Sequence, residues 1–334
     1  MKIAIAGAGM SGAYLYRLLV NEGFKEVDLY DQKKSTACGS RPCAWGFAPA
    51  PETRRLVSRV AGEPSRFELH HSQDVLFDDI LIKSDLLTLN KPALIQELVS
   101  GAEVRDGRID LEKYDRVIDA TGVERAYLPP LSNDLIAETI QYRMRSEKPL
   151  GFWFRTSDVG YEWCFPIGGD EYHVGFGNLK SSIKSYRPLS EFGDKDLEVK
   201  AKCRCTSRVR LASPYHSQPL VDGKVVGIGE SIGTVAPLAA DGNLYAMQTA
   251  EMLLENWDDP LAYAEKVLKR YDWMRKERSG MEKLVAGRLP SVSEVLVMKK
   301  HSNAVGVEMK TTHVLTLLGH MLQGRPHAPK NPRE

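Results

Sequence analysis

The N-terminal segment constrains this chain more than any other. Residues 2–6, KIAIA, are an apolar run of strand length, and Gly7-Ala8-Gly9-Met10-Ser11-Gly12 leads from it into a helical pattern ending near residue 22. A second strand-like run, residues 27–30, closes on Asp31. Each glycine has a physical task in this order. Gly7 allows the tight turn, Gly9 lets backbone approach a pyrophosphate, and Gly12 lets helix and strand pack closely. The N–H groups opening the helix, around Met10 and Ser11, face phosphates at the positive end of the helix dipole. Asp31 stands where a carboxylate accepts both ribose hydroxyls and repels a 2′-phosphate. The pattern predicts a Rossmann-type unit holding a dinucleotide; a glycine-rich turn without ligand does not need strand, triad, helix and acid in this order.

Composition narrows the class. At 334 residues, with 43% hydrophobic and 27% charged residues, the chain can build two interlocked domains around a sizeable core. A formal net charge of +1 speaks against a dedicated nucleic-acid surface. No apolar run reaches the length of a membrane span, and the N-terminal strand passes into glycines without a signal-peptide cleavage site. The cysteines (Cys38, Cys43, Cys164, Cys203, Cys205) are odd in number and scattered, which fits a reducing cytoplasm rather than a disulfide framework. Cys203 and Cys205 share a strand face and read as packing. No spacing resembles a metal site, and His70-His71 reads as half-exposed strand.

The remaining pattern is α/β, with residues 53–60, 92–100 and 243–256 helical and residues 116–120 and 225–228 buried strands. Residues 67–89 alternate like strand, and residues 140–178 read as antiparallel sheet, with turns at Ser157-Asp158 and Gly168-Gly169-Asp170. Residues 261–285 look helical and highly charged, and the last dozen residues are expected to fray. The expected organisation is a Rossmann-type cofactor domain (residues 1–62, 90–130 and 208–258), an interleaved antiparallel-sheet substrate domain (63–89 and 131–207) and a C-terminal helical region (259–334).

The glycine triad does not distinguish FAD from NAD; two later segments do, by resemblance. Residues 115–122, DRVIDATG, end a strand in the Ala120-Thr121-Gly122 turn of two-dinucleotide-domain flavoproteins. Residues 227–242, GIGESIGTVAPLAADG, resemble the segment whose acid contacts the ribityl chain and whose following helix faces the flavin. The resemblance implies FAD contacts at Thr121, Gly122, Gly229, Glu230, Pro237, Gly242 and Asn243. Glu230 stands where Asp is usual, one methylene longer. The same stretch satisfies G-x-S-x-G at Gly229–Gly233, the nucleophile elbow of hydrolases, which needs a helix starting at Ser231; Pro237 and Gly242 interrupt such a helix.

The chain further resembles the geranylgeranyl reductase family, within the p-hydroxybenzoate-hydroxylase-like fold group. Tyr161-x-Trp163-x-Phe165-Pro166 followed by Gly175-x-Gly177 matches the family's YxWxFP…GxG pattern. Arg41-Pro42-Cys43 matches its Pro-Cys loop beside the isoalloxazine, with Ala44-Trp45-Gly46 where Gly usually follows directly. Alternation puts Tyr161, Trp163 and Phe165 on one face, which with Trp153 and Phe154 forms an aromatic wall suited to an apolar chain; a plain sandwich core is the other reading. Cys43 carries two readings as well, a thiol relaying a proton beside the flavin or a small buried residue, and Tyr161 is the alternative acid.

The resemblance implies an FAD-dependent oxidoreductase reducing prenyl double bonds of an isoprenoid lipid or quinone. No second glycine-rich unit for NADPH is visible, so the external reductant is transiently docked NADPH or a small electron-carrier protein. A flavin monooxygenase acting on an aromatic and a non-catalytic flavin or lipid binder are the other classes. The chain is shorter than the resemblance leads one to expect, chiefly in the substrate and C-terminal regions. Residues 305–322 hold an apolar run at 314–318; packing on their own domain is the preferred reading, and peripheral contact with a membrane the alternative.

Overall fold

The computed structural model describes residues 1–32, 44–180, 183, 186 and 197–323, with backbone alone over 197–203. Arg41, Pro42 and Cys43, and residues 324–334 at the C-terminus, lie outside the described residues. Strand β1 (Ile3–Ala6) is buried at every position because it runs through the middle of a sheet. It enters helix α1 (Met10–Asn21), then β2 (Val27–Tyr30), β3 (Gly46–Phe47) and α2 (Ala50–Ala61). A hairpin follows, β4 (Glu68–Phe77) and β5 (Ile80–Leu89), then α3 (Lys91–Leu98), β6 (Val104–Arg105) and β7 (Arg116–Asp119). The alternating stretch 67–89 is thus two strands turning at Asp78, whose φ is +52°.

Next come β8 (Ile136–Ser146), β9 (Trp153–Ser157), β10 (Gly160–Pro166), β11 (Glu171–Asn178), β12 (Leu197–Arg210), β13 (Val221–Asp222) and β14 (Val225–Gly227). Five helices close the chain: α4 (Asn243–Glu255), α5 (Pro260–Arg270), α6 (Asp272–Val285), α7 (Val292–Ala304) and α8 (Thr311–Gln323).

Two sheets organise these elements. The first has the order β13-β14-β7-β1-β2-β6, with β14, β7, β1, β2 and β6 parallel. The second runs β12-β8-β11-β10-β9-β4-β5-β3, antiparallel except where β4 meets β9. The fold is therefore the expected α/β architecture: a Rossmann-type parallel sheet, an interleaved antiparallel sheet and C-terminal helices.

The stretch 261–285 is two helices rather than one. The chain turns at Tyr271, buried, whose hydroxyl donates to Gln248 Oε1 at 3.0 Å. Helices α6, α7 and α8 then cover the aromatic face of the second sheet, where Leu284, Met298, Leu317 and Leu318 pack with Phe152, Trp163 and Phe165. Leu284, Met298 and Leu318 are at most 1% exposed, so each contributes on the order of 1.5–3 kcal/mol of burial. The apolar run 314–318 accordingly turns Val314, Leu317 and Leu318 inward, as the preferred reading had it. No described helix is long and apolar enough to cross a membrane.

Candidate functional site

Where β1 ends, the backbone leaves no room for side chains. Gly7 has φ +102°, and a Cβ there would lie 2.4 Å from the Ala120 carbonyl oxygen; one on Gly12 would lie 1.9 Å from the Gly7 oxygen. Around Gly9 the opposite holds, because nothing stands within 4 Å of a Cβ built on it. Two glycines thus let strand and helix close, and the third leaves backbone open to an incoming group. Gly9 caps α1 without any side-chain hydrogen bond, so the first N–H groups of the helix are left for a ligand. Helix α4 begins at Gly242, which likewise offers no side chain of its own, although the preceding Asp241 accepts from the Asn243 N–H at 3.3 Å.

Both helix N-termini border one cavity of about 440 Å³. Its lining includes Gly9, Met10, Ser11, Gly122, Glu230, Pro237, Gly242 and Asn243 from the cofactor motifs, and Tyr161, Trp163, Phe165 and Gly177 from the aromatic motif. Segments up to about 230 residues apart in sequence therefore meet in one space. Gly229, at φ +64°, lies beneath it, where a Cβ would strike Ser11 Oγ at 2.8 Å. Glu230 Oε1 accepts from the Arg210 backbone N–H at 2.8 Å, and the Arg210 guanidinium donates to Val123 O at 2.8 Å, tying the Gly122 turn to the second sheet. Thr121 stands behind the lining, its hydroxyl donating to Asp119 Oδ1 at 2.7 Å. Asp31 follows β2, beside the glycine turn, where Gly7 N–H donates to Tyr30 O at 2.7 Å.

The aromatic motif has a steric logic. A Cβ on Gly175 would sit 2.2 Å from Trp163 Cζ2, and one on Gly177 would sit 3.5 Å from Trp163 Cζ3. The two glycines of β11 form a slot in which the neighbouring strand's indole lies flat. Tyr161 then makes ring pairs with Trp163 and Phe154, and Phe165 with Phe154 and Phe152, the Phe152 and Phe165 centroids lying 4.2 Å apart. The Tyr161 hydroxyl donates to Ala239 O at 2.5 Å, and burial, with the Asp241 charge, pushes its pKa above the usual phenol range.

Three substrate-face placements differ from the sequence reading, the first being Gly175, which lies behind the Trp163 indole rather than on the lining. Trp153 pairs with Cys164, while its neighbour Phe154 pairs with Trp163. Strand alternation therefore turns Trp153 to the opposite face, into a cluster with Met144, Tyr172 and Val174, away from the cavity. Pro166 is buried at the end of β10, its carbonyl accepting from the Thr88 hydroxyl at 2.6 Å, and also lies off the lining.

The hydrolase elbow has no basis in the structure. Residues Gly229–Ile232 form a 3-10 turn rather than an α-helix. Ser231 is fully buried, its hydroxyl 2.6 Å from Asp119 O and 2.9 Å from Ile228 O. A serine so enclosed cannot reach a substrate.

Asp241, His301 and Lys91 also line the cavity and were not singled out from the sequence. Asp241 accepts from the Asn243 N–H at 3.3 Å, and burial pushes its pKa up to about 6 against the pull of His301. His301 Nδ1 lies 2.9 Å from Oε1 of the fully buried Glu277, and Nε2 lies 2.6 Å from the Tyr245 hydroxyl. The carboxylate can only accept, so His301 donates to it through Nδ1, and the Tyr245 hydroxyl meets Nε2. Lys91 Nζ donates to Asn243 Oδ1 at 2.9 Å, and Asn243 Nδ2 to Gly46 O at 2.9 Å. Ionisable groups (Asp241, His301, Lys91, Glu230 and Arg208) thus share the lining with the aromatic wall.

A parallel sheet with a glycine cradle, a second sheet walling a shared cavity and helices closing it define the class: the chain has the fold of the FAD-dependent oxidoreductases. In structure it is similar to a geranylgeranyl bacteriochlorophyll reductase-like protein from Thermoplasma acidophilum, with a TM-score of 0.70 at 16% identity, covering 96% of each chain. It is also similar to a flavoprotein/dehydrogenase from Cytophaga hutchinsonii (TM-score 0.61, 15% identity, 97% of this chain and 100% of the other). A flavin-dependent halogenase matches at a TM-score of 0.62 and 14% identity, over 98% of this chain and 74% of its own. In sequence the chain is 26% identical over 334 residues to an uncharacterized protein of Methanocaldococcus jannaschii, covering 85% of this chain and 90% of the relative. No protein-family model matches.

Proposed function

We propose that the protein binds FAD in the glycine cradle and reduces carbon–carbon double bonds of an apolar isoprenoid chain held against the aromatic wall. The observation that carries this reading is the single cavity joining the glycine cradle at the uncapped N-terminus of α1, and the start of α4, to the Tyr161–Trp163–Phe165 face. The cradle fits the cofactor: Gly7 and Gly12 leave no space for a Cβ, Gly9 leaves its side open, and no acidic residue occupies the first turn of α1 to repel phosphate. Bound flavin would supply hydride to one alkene carbon. In this reading Gly9, Met10 and Ser11 hold the pyrophosphate, Asp31 the ribose, and Glu230 the ribityl chain.

An isolated alkene accepts hydride poorly, so a proton must reach its other carbon in a site without bulk water. Cys43 is kept as a donor on the resemblance of Arg41-Pro42-Cys43 to the Pro-Cys loop alone. Asp241 is the second donor, a carboxyl on the lining that holds its proton to about pH 6. Tyr161 serves as wall, since its hydroxyl is already engaged with Ala239 O. The reductant is NADPH docking transiently or a small electron-carrier protein. The test is anaerobic reoxidation of the reduced flavoprotein in stopped flow. A geranylgeranyl lipid should reoxidise the flavin and its saturated counterpart should not; equal rates with both would overturn the reading.

A further inference from the structure

We infer that the outer face of the last two helices is a docking surface for an anionic bilayer. The inference rests on the isoprenoid-lipid reading for its purpose and on the following observations for its location.

Four of the ten exposed large hydrophobic residues among those described fall within residues 289–315: Leu289 (59% exposed), Val292 (77%), Leu296 (50%) and Leu315 (48%). On α7 the outward stripe is regular, because Val292, Leu296 and Lys300 recur at four-residue intervals on one side of the helix. Leu289 extends the stripe into the preceding turn. This outer face is unusual for a water-facing helix, which ordinarily carries charges of both signs.

Its exposed charge is mainly positive. Residues 287–323 contain four basic side chains, Arg288, Lys299, Lys300 and Lys310, none in an ion pair among the described residues. The stretch has two acids. Glu294 is turned inward, where Lys283 Nζ donates to it at 2.7 Å and it closes the capping box of α7 with Ser291. Only Glu308 is exposed. An apolar stripe flanked by unpaired cations complements a bilayer whose surface is negative, the aliphatics entering the acyl boundary and the cations meeting headgroups. A soluble acidic protein would satisfy the cations and leave the aliphatic stripe without reason.

The inner face of the same two helices supplies the link to chemistry. His301, Ser302 and Val305 of the α7 end, and Val314, Leu317 and Met321 of α8, line the cavity. A layer one helix thick thus has a bilayer-compatible outside and the substrate cavity on its inside. The apolar run 314–318 is not the contact itself, because its large residues other than Leu315 face inward. The contact surface is mainly α7 and the turn before it.

The test is sedimentation of the purified, FAD-loaded full chain with vesicles of phosphatidylcholine containing about one-third phosphatidylglycerol, and with pure phosphatidylcholine vesicles. The expected result is partition onto the anionic vesicles that falls with salt. K299Q/K300Q should weaken it roughly ten- to thirty-fold, since each cation near such a surface is worth about five-fold. V292E/L296E should weaken it at least ten-fold while leaving flavin absorbance and melting temperature in place, both positions being exposed. Absence of wild-type partition, or unchanged partition of V292E/L296E, overturns the inference. A wild-type dimer that V292E/L296E converts to monomer also overturns it, since the face would then be a contact between copies. Failure here is separable from failure of the proposed reaction: sedimentation needs no turnover, and detergent-dispersed lipid reports the reaction without a bilayer.

Discussion

Substituting Gly175 by Ala probes how the aromatic wall is built. The added methyl would stand 2.2 Å from Trp163 Cζ2 and 2.4 Å from Cε2, and 2.7 Å from the Ile140 carbonyl oxygen. An ordinary carbon–carbon contact is about 3.5–4.0 Å, so the indole must retreat by more than 1 Å inside a packed cluster. Overpacking of this kind costs about 1–3 kcal/mol, and the upper end applies because Trp163 is hemmed in by Tyr161 and the core beneath α6 and α8. In a Trp163→Leu background the ring is gone and only the Ile140 oxygen still resists, so the same glycine substitution should cost about 1 kcal/mol. Urea unfolding of the four proteins gives the cycle, with a coupling of about 2 kcal/mol expected. FAD affinity should be unchanged in G175A, because Gly175 lies on the sheet side of the wall, away from the cradle. Equal destabilisation by G175A in both backgrounds would refute the slot.

Three further outcomes follow from the site. His173 is 1% exposed beside Trp45, and burial holds its pKa down to about 4. The unfolded chain takes up that proton near pH 6.5, so the His173 contribution to stability should fall by up to about 3 kcal/mol as pH drops from about 6.5 to about 4, opposite in sign to that of Asp241. The gap in denaturation midpoint between His173→Phe and the parent should therefore shift in the variant's favour as pH drops across that window, and a constant gap would refute it. Asp241 is perturbed upward, so its protonated form favours the fold below about pH 6 and that contribution fades as pH rises through 6. If it donates the proton, flavin reoxidation by lipid should decline above about pH 6, and Asp241→Asn should slow it at least ten-fold and remove that limb; an unchanged profile would clear Asp241 of the role. Ser231→Ala should cost about 1–2 kcal/mol for the buried acceptors it leaves, as thermal unfolding would report, and leave FAD binding intact.

The cofactor end of the molecule was legible because glycine spacing encodes backbone geometry. Gly7 and Gly12 are required where a Cβ would meet carbonyl oxygen, and no other residue type fits. The aromatic face was legible within one strand, since Tyr161, Trp163 and Phe165 alternate. It failed across strands: Trp153 could be placed only once the register with Cys164 was known, and that register depends on a turn as well as on apolar pattern. The break at Tyr271 was hidden because both flanking segments are amphipathic and carry no glycine or proline at the join. Asp241 and His301 were invisible as a pair for a different reason. One follows the Pro237 loop and the other ends a helix sixty residues later, and only tertiary packing brings both to the cavity.

The central claim, that reduced flavin in this cavity saturates prenyl double bonds, has a direct chemical readout. Protein reduced with dithionite under anaerobic conditions would be incubated with a geranylgeranyl lipid and the product weighed by mass spectrometry. The account predicts masses rising in steps of two hydrogens, absent from Gly12→Ala protein, in which the added Cβ would collide with the Gly7 oxygen and close the cradle. Unaltered lipid across several chain lengths, from protein that demonstrably binds FAD, would contradict it.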